Sequence, residues 1–397
     1  MRRIIVALMA TTVPVSSKLP DIGVSIFAVQ TRLANEHKAI NLSQGFPDFD
    51  CDPALVEAVA RAMREGHNQY APMPGVIALR EGIAAKVERL YGSEFDPLTE
   101  VVVTSGATAG LFATLTTFVQ PGDEVVLFEP CYDSYVPVIR LSGGTPVFVS
   151  LRYPDYSVNW DEVRRAITPR TRAILVNTPH NPTGTTWSAD DMKQLASLVD
   201  GTSIILIGDE VYEHIIFDGR RHESLLRYPE LRERAVVISS FGKTFHTTGW
   251  KVGYCVGPQP LITEVIRVHQ FMTFTVHTPS QMAFSEFVRK DPEAKDLTPF
   301  YQRKRDLFLE LTAGSRFRPL PCAGTYFQLF DYSSISREKD KEIAHRLIVE
   351  NGVASIPVSA FLYKDPGGPV LRFCFAKKDE TLTAAAERLR RVSEKKP

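Results

Sequence analysis

Four short apolar runs, none of them alternating, each stop abruptly in polar residues. Val101-Val102-Val103-Thr104 leads into Ser105-Gly106-Ala107-Thr108, and Ala173-Ile174-Leu175-Val176-Asn177 into Thr178-Pro179-His180-Asn181-Pro182-Thr183-Gly184. Ser203-Ile204-Ile205-Leu206-Ile207-Gly208 ends in Asp209-Glu210-Val211-Tyr212, and Ala235-Val236-Val237-Ile238 in Ser239-Ser240-Phe241-Gly242-Lys243-Thr244. Runs without alternation read as strands buried on both faces. Helix-patterned stretches such as residues 111–119 alternate with them. The pattern predicts an α/β chain with a mostly parallel central sheet and helices on both faces. Ligands of such sheets bind beyond the carboxyl ends of the strands. The polar residues that stop these runs are therefore expected to meet at one rim.

Each rim group suits a different chemistry. Burying the Lys243 ammonium without a partner is costly, and condensing with a carbonyl to a Schiff base removes the cost. That bond is the covalent anchor of pyridoxal 5'-phosphate (PLP). The Ser240 hydroxyl and the Lys251 cation suit a phosphate. So does the turn Gly106-Ala107-Thr108, where a strand meets a helix N-terminus. That turn is neither a P-loop nor a full dinucleotide fingerprint, which argues against nucleotides. The Asp209 carboxylate caps a buried strand and needs a cation. A protonated pyridine nitrogen would serve, and would make the ring an electron sink. Tyr212 is placed to reach the same ring's oxygen. Arg372, in Val370-Leu371-Arg372-Phe373-Cys374-Phe375-Ala376, needs a carboxylate; either a substrate or a protein Asp or Glu answers that need. Asn181 is held between prolines and reads as a turn residue or a ligand donor. Tyr132, after the strand at residues 124–128, reads as a core aromatic or a stacking ring. His180 and His277 read as structural.

The lysine stretch with Thr248-Gly249-Trp250-Lys251-Val252-Gly253-Tyr254, the Asn-Pro-Thr-Gly stretch, Asp209 to Tyr212 and Arg372 together resemble the fold-type I PLP enzymes. The resemblance is to class I/II aminotransferases, closest to the methionine and the kynurenine (glutamine-type) aminotransferases. It spans residues 18–389. It implies the fold-type I transferase architecture with a smaller α+β domain. The implied division is an extension at residues 1–16, an arm at 17–46 joining the small domain, a large PLP-binding domain at 47–295 and a small domain at 296–397. It implies that Lys243 anchors PLP and then moves the Cα proton, that Asp209 protonates the ring, and that Asn181 and Tyr212 tune its oxygen. Tyr132 would stack on it, while Ser240, Lys251 and residues 106–108 hold its phosphate. Arg372, Gly45, Asn181 and Phe27 would meet the substrate. Tyr70 would cross to the partner's phosphate in a homodimer with shared sites. Two positions depart from the pattern: Gly242 and Lys251 stand where many relatives have serine and arginine.

The implied reaction moves an amino group from an amino acid to a 2-oxo acid. No second cation is apparent for a distal carboxylate. The segments expected around the pocket supply Ile26, Phe27, Tyr132, Phe271, Phe274 and Phe361. They favour methionine or an aromatic donor over aspartate. A kynurenine aminotransferase and a cysteine-S-conjugate β-lyase are the rivals on the same scaffold. A PLP-binding regulator is the rival from outside enzymology, but residues 1–45 are too few for a DNA-binding domain.

Lysine plus arginine and aspartate plus glutamate both number 46, a formal net charge of zero. No global field favours nucleic acid or an anionic membrane. The five cysteines are scattered without C-x-x-C spacing, which fits reduced thiols in a cytoplasm and no metal site. Met1-Arg2-Arg3 with the apolar residues 4–10 resembles a clipped signal peptide. The run is short and lacks a clean cleavage site, so an unstructured extension is expected.

Overall fold

The computed structural model describes residues 16–364 and 367–392. All but Ser16 of the expected extension at residues 1–16 lies outside the described residues. The chain enters through the helix Ile26–Glu36, whose first turn is capped by the Ser25 side chain, a residue type suited to that position. Strand β1 (Ile40–Asn41) follows and pairs in parallel, far along the chain, with Val353–Ala354.

The central sheet is built from β2 (Val101–Thr104), β3 (Glu124–Glu129), β4 (Thr145–Ser150), β5 (Thr171–Asn177), β6 (Ile205–Asp209), β7 (Ala235–Ser240) and β8 (Gly253–Val256). Its order is β2-β8-β7-β6-β5-β3-β4. Only β8 runs against its neighbours; the other pairings are parallel. Successive residues of one strand enter different cores. Ile174 and Val176 of β5 pack into one, Ala173 and Leu175 into the other. Apolar side chains on both faces are what the runs without alternation required.

A second, antiparallel sheet comprises β9 (Arg318–Pro319), β10 (Phe327–Asp331), β12 (Ile356–Pro357) and β13 (Val370–Cys374), with β11 (Val353–Ala354) left to pair with β1. It has its own aromatic core, including Tyr301, Phe308, Phe330 and Phe373. The stretch 324–329 alternates like a strand, yet pairing in this sheet starts only at Phe327. Thr325 has φ of 65° and Gly324 bridges to Ile216. Tyr326 still accepts from the Phe375 amide at 2.9 Å, beside the start of that pairing.

Candidate active site

β5, β6 and β7 end side by side, with Asn177 beside Asp209 and Asp209 beside Ile238 in register. Above these ends lies a cavity of about 390 Å³. Phe27, Gly45, Gly106, Ala107, Thr108, Tyr132, Asn181, Asp209, Tyr212, Ser240, Lys243, Lys251 and Arg372 all line it. Of the residues expected to hold the cofactor or the substrate carboxylate, Tyr70 lies off it. Tyr70 is exposed, with its ring edge-on to Phe274 at 5.2 Å.

Lys243 sits in a single helical turn, Phe241–Thr244, directly after β7. Its Nζ donates to the Tyr326 hydroxyl at 2.7 Å and lies 3.5 Å from the Gly45 carbonyl. The Tyr212 and Tyr326 rings stand 5.4 and 5.3 Å from the amine. Burial among these rings pushes its pKa down to about 8, so a neutral, nucleophilic fraction exists near neutral pH. Gly242 is required here, because a Cβ would stand 2.9 Å from the Thr248 Cα. The serine of many relatives would force that turn to shift.

Asp209 is buried at the floor. Tyr135, from the helix Tyr135–Leu141, donates to its Oδ2 at 2.6 Å, while Oδ1 has no hydrogen-bond partner among the described residues. Burial raises its pKa to about 6; the Tyr135 hydroxyl and the nearby Val211 amide only partly offset this. The Asn177 side chain donates to the Asp209 carbonyl at 2.7 Å and accepts from the Asn181 amide at 2.8 Å. It thereby ties two strand ends together.

Arg372, on β13, is 1% exposed. One Nη donates to Asn181 Oδ1 at 2.7 Å, the other to the Ser43 carbonyl at 3.0 Å, and Nε has no partner. Its guanidinium stands 3.8 Å from the Phe327 ring and 5.3 and 5.1 Å from those of Phe27 and Phe361. Burial pushes its pKa down to about 10. Among the described residues no carboxylate forms a salt bridge with it, which removes the reading of a protein ion pair. A buried guanidinium in that state is suited to an anionic ligand.

At the opposite side the helix Gly106–Phe118 begins without a side-chain cap. Gly106 has φ of 75°, and a Cβ there would stand 3.3 Å from Lys251 Nζ. Unpaired helix amides and an ammonium thus converge beside Ser240, as an anion site requires.

Other expectations need correction. Phe271 and Phe274 do not line the cavity; the helix Gln259–Met272 ends there and both rings are exposed. Ile26 does not line it either, and Phe361 packs behind Phe27, 5.9 Å away. His180 is buried on Thr183, and His277 pairs with Ser280 at a helix start. Sequence reasoning missed Tyr135, Asn177, Gln44, Tyr326 and Phe327. Asn177 carried a usable signal, a polar residue closing a wholly apolar strand. Tyr326 carried none, because its partners Lys243 and Gly45 are distant in the sequence.

These groups fit PLP on their own geometry. The unpaired Asp209 Oδ1 is an acceptor for a ring N–H, the helix start with Lys251 is a phosphate seat, and Lys243 is an amine of lowered pKa between them.

Residues 37–389 match the family model for aminotransferase class I and II. The chain is 50% identical to the methionine aminotransferase of Escherichia coli (strain K12), covering 95% of this chain and 98% of that protein. It is 35% identical to kynurenine--oxoglutarate transaminase 1 of Homo sapiens, covering 91% and 94%. A solved Escherichia coli structure described as having a methionine aminotransferase function superimposes with a TM-score of 0.93 at 49% identity, over 96% of this chain and all of that one. The N-succinyldiaminopimelate aminotransferase structure of Mycobacterium tuberculosis gives 0.92 at 38% identity, over 96% of this chain and 100% of that one. With a family model running through both sheets and relatives at these identities along nearly the whole length, the protein belongs to the class I and II aminotransferases and is a PLP-dependent transaminase.

Proposed function

We propose that the enzyme moves the amino group of methionine, with aromatic amino acids as secondary donors, to a 2-oxo acid. The observation that carries this is the cavity wall. Among the described residues its only cations are Lys243, Lys251 and Arg372, and in this reading each is accounted for by the cofactor or the α-carboxylate. Phe27, Phe46, Leu111, Tyr132 and Phe327 supply apolar contact surface. A flexible thioether fits an irregular aromatic wall, and the name of the 50%-identical relative supports the same donor. The Phe27–Phe361 pair and the kynurenine-acting human relative support aromatic donors second.

PLP, when bound, supplies an electron sink for charge developing at the substrate Cα. In our reading Lys243 anchors it, Ser240, Lys251 and residues 106–108 hold the phosphate, and Tyr132 covers the ring. Asp209 Oδ1 holds the ring proton, while Asn181 and Tyr212 bind the ring oxygen. Arg372 fixes the substrate carboxylate through its planar fork, with Gly45 and Asn181 beside it. Phe27 bounds the side-chain pocket. Lys243 Nζ, once free, takes the proton from Cα.

We further propose a large domain at residues 47–295 and a small domain formed by 17–46 with 296–397. The second core, drawn mostly from residues 297–392 with Leu42 of the arm, supports that division, and Val211 to Phe217 of the large domain also pack into it. Tyr70 on an exposed aromatic surface supports a homodimer in which it reaches the partner's phosphate. A solved dimer with Tyr70 remote from both cavities would refute that. Five free thiols support a cytoplasmic setting; among the described residues no helix is long and apolar enough to cross a membrane.

Steady-state kinetics test the substrate reading. Methionine is expected to exceed aspartate by ~100-fold or more in kcat/KM, since aspartate must bury an unpaired carboxylate. Equal values would overturn it.

A further inference from the structure

We infer that Tyr326 is a catalytic residue, whose hydroxyl is the seat of the Lys243 amine whenever that amine is free. The inference rests on the reading of Lys243 as the proton carrier and adds a partner to it.

Hydrogen-bond accounting fixes the roles. A phenol has one proton to donate. Tyr326 spends it on the Gly45 carbonyl. Burial keeps that phenol protonated, so its oxygen must accept from Lys243 Nζ, 2.7 Å away. The amine therefore has a fixed acceptor on the side of the cavity formed by the second sheet. The same short stretch that holds Tyr326 also holds Arg372, since Ser43 accepts from the guanidinium and Gly45 from the phenol. Only glycine fits at this close approach: a Cβ on Gly45 would stand 2.6 Å from the Phe327 ring. A substrate seated on Arg372 thus meets an amine whose direction is set by Tyr326.

The other charged or titratable groups around the amine are Asp209, Tyr212, Lys251, Arg372 and Cys374. Tyr326 is the one that hydrogen-bonds it. As an acceptor it favours the protonated amine. Removing its hydroxyl is expected to lower the amine's pKa by about one unit. The amine holds the Cα proton less well, so the proton-transfer step slows.

The experiment is the Tyr326→Phe variant, compared with Tyr301→Phe. The Tyr301 ring lies 5.7 Å from that of Tyr326, and its buried hydroxyl has no partner. Full-length protein freed of cofactor is labelled with acetic anhydride across pH, and acetylation of Lys243 is followed by peptide mass spectrometry. From a starting pKa of about 8, a one-unit drop makes Tyr326→Phe label about fivefold faster at pH 7. In the holoenzyme the same variant is expected to show a lower kcat with a larger isotope effect from Cα-deuterated methionine, and little change in KM. Tyr301→Phe is expected to match the unmodified protein in both. A Tyr326→Phe labelling profile that superimposes on the unmodified one, or an equal shift from Tyr301→Phe, overturns the inference. If Tyr326→Phe fails to fold, the unmodified enzyme bound to phosphopyridoxyl-methionine decides: Lys243 Nζ on the Tyr326 hydroxyl supports the inference, and an amine turned elsewhere overturns it. Borohydride reduction of the holoenzyme tests the underlying reading separately, because a pyridoxyl label on any lysine but Lys243 removes that residue as the anchor.

Discussion

Replacing Asp209 with asparagine is expected to stabilise the cofactor-free protein while weakening its hold on PLP. The carboxyl has a pKa of about 6 in the folded chain against an ordinary 3.8. Between those values the native state binds the proton more tightly than the unfolded state does. Stability therefore falls as pH rises through the window and stays reduced above it. The gap of about 2 units corresponds to about 3 kcal/mol at neutral pH. Asparagine keeps an oxygen for the Tyr135 hydroxyl and cannot ionise. At roughly 2.1 cal/mol/K per residue over 397 residues, that difference raises Tm by about 3–4 °C at pH 8, with little change near pH 4. Calorimetry of both stripped proteins across pH reads it directly, and titration with PLP reads the loss of affinity. An asparagine variant that melts lower at pH 8, or whose advantage does not grow with pH, would refute the account of an unpaired carboxylate at the floor.

Two further outcomes are expected. Arg372→Gln leaves the substrate carboxylate without its buried partner, so kcat/KM for methionine should fall by about 2–5 kcal/mol, ~30- to ~5,000-fold. PLP affinity should stay near that of the unmodified enzyme, and a loss under threefold in steady-state assays would contradict the role. Glu213→Gln strands Lys86, since Glu213 accepts from Lys86 at 2.6 Å and from Ser239, Tyr91 and Tyr254 in a pocket where both charges are about 4% exposed. Breaking such a pair costs about 3–5 kcal/mol, and a melting temperature within 1 °C of the unmodified protein would count against it.

The sequence makes the rim of the site legible because a strand end is a local event. A buried apolar run that stops at Asn177, Asp209 or Ser240 says which residues share an edge, and parallel pairing does the rest. Arg372 was readable for another reason, as a lone cation in an apolar strand. What stayed hidden depends on distant contacts. Tyr135 looks like one aromatic among several until its hydroxyl is found on Asp209. Tyr326 lies in a stretch that alternates like a strand, and only the fold brings its hydroxyl to Lys243 and the distant Gly45 carbonyl. Phe271 and Phe274 erred the other way: an aromatic cluster near the right place in the sequence proved to be an exposed surface around the end of a helix.

Burial alone does not distinguish the ionisable groups that act from those that support. Asp209 and Glu213 lie four residues apart in one segment, and both are buried carboxylates. Glu213 is held well below its ordinary pKa because Lys86, His214 and Ser239 outweigh desolvation. Asp209 is pushed above its own, because one phenol and a nearby amide do not outweigh it. Arg372 repeats the pattern with the opposite sign, pushed toward neutrality with Nε unpartnered. Among the described residues neither group forms a salt bridge, so both carry a desolvation cost that a ligand of opposite charge would relieve. In the proposed reading a ring N–H would answer Asp209 and a substrate carboxylate Arg372. The Glu213 carboxylate, paired with Lys86 and bonded by Tyr91, Ser239 and Tyr254, carries no such demand.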